Sequence, residues 1–137
     1  MAEYIVKDGM GIIPDGTIKI VDFAFWDCKA LTNVIIPDSV KEIGLVAFKG
    51  CSSLTSITIP ASVKLIRQEA FKGCSALNEI IVDKENTVYD SREGCNAIIC
   101  PNDVLLYGCN TTVIPTSVKK IARCYNSPQS TFNLWGL

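Results

Sequence analysis

The string AFKGCSSL begins at Ala47 and AFKGCSAL begins at Ala70, so one phrase returns after 23 residues. The match extends beyond the phrase, because LTNVIIPDSVKEIGLVAFKGCSS from Leu31 and LTSITIPASVKLIRQEAFKGCSA from Leu54 align without a gap. A third copy stands upstream, where Pro14, Ile20, Ala24, Phe25 and Cys28 precede Pro37, Ile43, Ala47, Phe48 and Cys51 by one period. The same columns continue into Pro60, Ile66, Ala70, Phe71 and Cys74. A fixed period in the low twenties marks a solenoid, in which each copy is one coil stacked on the last.

Each copy opens with a short alternating run, as in Leu31, Val34 and Ile36 or Leu54, Ile57 and Ile59. Alternation of β-branched residues predicts a short strand. Pro37 and Pro60 end it, since proline lacks the donor a longer ladder requires. The return leg carries Val40, Ile43, Ala47, Phe48 and Cys51 at mixed spacings, which predicts a second short strand and then one helical turn closed by Gly50 or Gly73. A single coil cannot enclose these side chains, so neighbours stack at about 4.8 Å. The Phe25, Phe48, Phe71 column is the expected spine, each ring contributing roughly 1.5 to 3 kcal/mol by its burial.

The pattern IP-x-SV-x-x-I-x-x-x-AF-x-GC-x-x-L resembles the BspA-like leucine-rich repeat (LRR type 5) of bacterial and some protist surface proteins. A further stretch, YDSREGCNAIICPNDVLLYGCNTTVIPTSVKKI from Tyr89, is similar to the hairpin insertion that interrupts such arrays, and the two together span about Ile12 to Ile121. The resemblance implies an α/β fold, a right-handed solenoid of short parallel strands in about five coils with one β-hairpin insertion. It also implies a protein-binding or adhesion role, host or matrix proteins as partners, and a place at the cell surface or in secretion.

The spacing supports the interruption independently. Pro60 and Pro115 are 55 residues apart, which is two periods plus nine residues. CNAIIC and VLLY flank the turn sequence PND, which predicts a hairpin between Gly94 and Cys109. The expected organisation is one domain over residues 1–137. It divides into an N-terminal cap (1–11), regular coils (12–88), the hairpin insertion (89–111), and a last coil with a C-terminal cap (112–137), where Phe132, Leu134 and Trp135 would fold over the open end.

A net charge of -1 with acids and bases interspersed leaves no basic stripe for nucleic acid. No apolar run is long enough to insert in a membrane. Glu3 and Asp8 fall where a secretory signal needs a basic head and an apolar stretch, so no export signal is expected in this chain. The absence of histidine removes the commonest general base and every histidine-dependent triad. Asp83 and Glu85 read as solvated loop residues, GMG at Gly9 lacks the context of a phosphate loop, and NTT at Asn110 is a bare glycosylation sequon. No enzyme activity and no cofactor are expected.

Seven cysteines raise redox and metal chemistry. Cys28, Cys51 and Cys74 share one repeat column and read as buried free thiols, because parallel stacking aims their Cβ vectors the same way. Cys95, Cys100, Cys109 and Cys124 lack the paired spacing of a zinc knuckle. A Cys95–Cys109 or Cys100–Cys109 bridge is the better alternative, still second to free thiols.

Two surfaces remain as candidates for a protein partner. The outward strand positions Ile12, Asn33, Ile35, Ser56, Thr58, Glu79 and Ile81 form a partly apolar ribbon on the expected concave face. Equally, the same row could be cross-strand packing without a ligand. On the return leg Val21, Phe23, Trp26, Leu45 and Val46 form an apolar patch, which the segment Tyr4, Ile5, Val6 is expected to cover. The alternative role is structural, a segment of a longer array or a self-associating surface protein.

Overall fold

The computed structural model describes residues 4–122. Strands β1 (Ile5–Lys7) and β2 (Met10–Ile12) form an antiparallel hairpin. There follow β3 (Lys19–Ile20), β4 (Asn33–Val34), β5 (Glu42–Ile43), β6 (Ser56–Ile59), β7 (Leu65–Ile66) and β8 (Glu79–Val82). The order ends with β9 (Ile98–Cys100), β10 (Val104–Tyr107) and β11 (Lys120–Ile121).

Strands β2, β4, β6 and β8 line one side, the front face, and β3, β5 and β7 line a second, the return face. The ladders are parallel and in register with the repeat: Lys19, Glu42 and Leu65 are partners, as are Ser56 and Glu79. The sequence period is therefore the ladder step, and a solenoid of stacked parallel strands is what forms.

The third side departs from expectation in detail. The predicted helical turn is absent, and the one 3-10 segment among the described residues lies elsewhere, at Arg92–Gly94. Backbone donors alternate instead: Ala24, Trp26 and Cys28 bond three residues back, while Phe23, Phe25 and Asp27 bond Leu45, Ala47 and Lys49 of the next coil at 2.9, 2.7 and 2.6 Å. A helix would have to keep all these donors to itself. The alternation forces positive φ at two columns, Phe23, Val46, Glu69 and Asp27, Gly50, Gly73. Val46, at φ 48, is β-branched in a left-handed conformation and is held there by its neighbours.

The stack makes about three regular turns rather than five. After β8 the insertion takes the place of the next coil. Asn96 Oδ1 and Ser91 Oγ accept the Ile80 and Val82 N–H groups, at 3.3 and 2.9 Å, as a further strand would. Within the insertion β9 and β10 pair antiparallel around Asn102 and Asp103, both at positive φ. The coil pattern resumes where the Asn110 N–H bonds Leu77 O, and β11 lies parallel to β10. Phe132, Leu134, Trp135 and Cys124 lie outside the described residues.

Inside runs one column of rings. Tyr4, Phe25, Phe48 and Phe71 stack with 5.3 Å between successive centroids, and Tyr107 meets Phe71 edge-on at 5.5 Å. Columns of Ile20, Ile43, Ile66 and of Leu31, Leu54, Leu77 are buried beside it. A smaller cluster of Cys95, Ala97, Ile99, Leu105 and Val118 anchors the insertion.

Candidate functional site

Period-two alternation in the front strands buries Val34, Ile57, Ile59, Ile80 and Val82 and turns the intervening side chains outward. Ile12, Ile35 and Ile81 are 46%, 71% and 43% exposed, and Thr58 lies opposite Ile81 in the β6–β8 ladder. Asn33, Ser56 and Glu79 form the adjoining outward row, where Ser56 Oγ lies 3.3 Å from Asn33 Oδ1. The seven front positions thus occupy one surface.

Shallow clefts open along this row. One of about 330 Å³ is lined by Asn33, Ile35, Asp38, Ser56, Thr58 and Asp83 among others. Another, of about 190 Å³, lies between Ile12, Asp15, Ile35 and Pro37. A third, of about 440 Å³, runs past Asp15, Asp38 and Ser39 to the same isoleucine. Asp15 and Asp38 were absent from the sequence candidates because only outward strand positions were counted, and both follow the strand-ending proline. Their recurrence directly after the strand-ending proline was the signal that could have placed them.

The return-leg patch is only partly exposed. Phe23 and Trp26 are each 57% exposed and meet edge to face at 6.3 Å, whereas Val21 and Leu45 are half-buried and Val46 is buried. Among the described residues the N-terminal segment meets the patch at Val21 and leaves Phe23 and Trp26 exposed. Tyr4 stacks on Phe25 instead, and its hydroxyl accepts the Val21 N–H at 3.3 Å, because the ring column offers more apolar contact than the corner.

Cys51 and Cys74 are buried free thiols whose Sγ atoms donate to Phe25 O and Phe48 O at 3.0 and 3.2 Å. Burial pushes both up to about 12. Cys28, at the first coil, is half-exposed rather than buried. Cys95 and Cys109 are free thiols, so neither hairpin bridge exists, and Cys100 and Cys109 direct Sγ at Val104 O and Asn96 O at 3.3 Å. Among the described residues no group of three or more candidate ligands is placed to hold a metal ion. Asn110 of the sequon donates its side-chain N–H to Ser75 O at 2.9 Å and serves the coil junction. Among the described residues no helix is long and apolar enough to cross a membrane.

Two charge clusters elsewhere are paired. Glu42 takes Lys19 at 3.3 Å and Arg67 at 2.8 Å on the return face, and Arg67 foremost holds its carboxyl below the usual range. Arg92 ties Asp90 to Asp103 at 2.7 and 2.8 Å, fixing the insertion, and lowers both carboxyls.

The described site is a ribbon on a repeat scaffold, and the comparisons agree with that architecture. A leucine-rich cell surface protein from Faecalibacterium prausnitzii is 34% identical with a TM-score of 0.59, covering 69% of this chain and 24% of its own. The leucine-rich repeat protein of T. pallidum is 25% identical with a TM-score of 0.53, covering 84% of this chain and 46% of its own. The present chain thus spans less than half the length of either. A search of curated proteins finds no match. The model described as BspA type Leucine rich repeat region (6 copies) matches residues 11–98, and the chain belongs to that family.

Proposed function

We propose that the chain is a non-catalytic, protein-binding repeat module whose partner lies across the front face. The observation that carries this reading is Ile35, a large apolar side chain that projects from the strand row and borders each of the three clefts. Isolated apolar side chains are ordinary on a surface, but a row of them on a sheet with bordering clefts is a docking geometry. The family and the likeness to a leucine-rich cell surface protein support a repeat module at the cell surface, and adhesion to host or matrix proteins is the finer form of this proposal. The test is binding of the chain to a panel of immobilised matrix proteins. Ile35→Lys and Ile81→Lys abolish binding while the melting temperature holds, and binding that survives both removes the front face from the reading.

A second reading rests on the exposed Phe23–Trp26 pair, which would mediate self-association or contact within a longer array. Light scattering over a concentration series, with Trp26→Ser as control, separates the two.

A further inference from the structure

The acids of this molecule differ in whether a cation stands beside them, and the front clefts are walled by acids that have none. Most on the return leg and insertion have cations at hand: Glu42 with Lys19 and Arg67, Glu69 with Lys49 and Lys72, and Asp90 and Asp103 with Arg92, while Glu93 of the insertion forms no ion pair among the described residues. Asp15, Asp38, Glu79 and Asp83, all on or beside the front face, form no ion pair among the described residues. No lysine or arginine lines any of the three front clefts, while each cleft has at least one aspartate in its wall. Lys84 follows Asp83 in sequence yet lines none of them. Asp83 is also oriented, since its Oδ1 accepts the Glu85 N–H at 2.8 Å.

We infer that the occupant of the front face is an extended polypeptide segment of a partner protein that carries lysine or arginine side chains beside apolar ones. This rests on the front-face reading above and specifies its ligand. Apolar side chains of the segment pack on Ile12, Ile35 and Ile81, and its cations lie against Asp15, Asp38 and Asp83. Complementary charge at the edge of an apolar row speeds encounter and selects partners, more than it adds affinity. The uncompensated acids also disfavour an acidic partner, which would bring like charges together. An extended segment suits a surface whose clefts are shallow and arranged in a row, because alternate side chains then descend on the same side.

The test pans a displayed library of random peptides on the full 137-residue chain, then measures the enriched peptides against variants whose melting temperatures match the parent. The expected peptides combine lysine or arginine with apolar residues. Their affinity falls about tenfold or more in the triple variant Asp15→Asn, Asp38→Asn, Asp83→Asn, and falls on raising salt from about 0.05 to about 0.5 M. Ile35→Lys abolishes their binding. Peptides without cationic enrichment, or indifferent to the triple variant while still sensitive to Ile35→Lys, overturn the cationic assignment and leave the front face standing. Peptides indifferent to both variants overturn the two together. A failure to enrich any peptide overturns the inference, as does self-association of the parent chain lost in the triple variant, which would make a second copy the occupant.

Discussion

Tyr4 and Tyr107 close the two ends of one column of aromatic rings, with Phe25, Phe48 and Phe71 between them. Each terminal hydroxyl accepts a backbone N–H, from Val21 at one end and Ala70 at the other, at 3.3 and 2.9 Å. The column is thus polar only where it stops.

Phe48 stands at its centre with a stacked ring on either side and no exposure. Phe48→Ala costs about 3 to 5 kcal/mol, because the flanking coils cannot both collapse into the space. Thermal unfolding followed by circular dichroism should show a melting temperature lowered by on the order of 10 °C. A shift of a degree or two refutes the spine.

Tyr107→Phe keeps the ring and removes the acceptor from the Ala70 N–H, which then retains only its longer 3.3 Å bond to Arg67 O. The expected loss is about 1 to 2 kcal/mol by urea denaturation. Tyr4→Phe costs less, since water reaches the half-buried Val21 N–H.

Native labelling with iodoacetamide, read by peptide mass spectrometry, should modify Cys28 and spare Cys51 and Cys74 until denaturant is added. The two spared thiols are buried, hydrogen-bonded to carbonyls and pushed up to about 12, so little nucleophilic thiolate exists at pH 8. Equal labelling of the three contradicts the coil stacking.

Glu42 has a carboxyl lowered from 4.5, first by Arg67 and then by Lys19 against a partial desolvation cost. A depressed folded-state value means that its stabilisation is present above the unfolded value and is lost as pH falls through the folded one. Glu42→Gln should therefore lower the melting temperature slightly above about pH 5 and converge with the parent as acid protonates the carboxylate. A gap that widens in acid refutes the assignment.

The repeat made the coil legible because a column of identical residues reports on stacking directly: Phe25, Phe48 and Phe71 could only be neighbours. The corner was misread as helical, because the mixed spacing of Val40, Ile43 and Ala47 does not reveal that alternate donors cross to the next coil. The hairpin of β1 and β2 was missed although Asp8-Gly9 carries the strongest short turn signal, with both residues at positive φ. The outward row was placed by alternation alone. Its acidic border was not, because Asp15, Asp38 and Asp83 differ from paired acids only through where the lysines and arginines lie in space. Asn96 and Ser91, which finish the β8 edge, were equally invisible, since side chains that imitate a strand leave no periodic trace.

The left-handed corner shared by Phe23, Val46 and Glu69 is occupied by three chemically unlike residues, none of which favours it. Its bend is accordingly enforced by the rungs on either side. Each rung acts as a mould for its successor, so a newly duplicated copy inherits its shape before its own sequence has been refined. Such an array can lengthen by copying first and diversify its outer surface afterwards, with contour and recognition evolving on separate clocks.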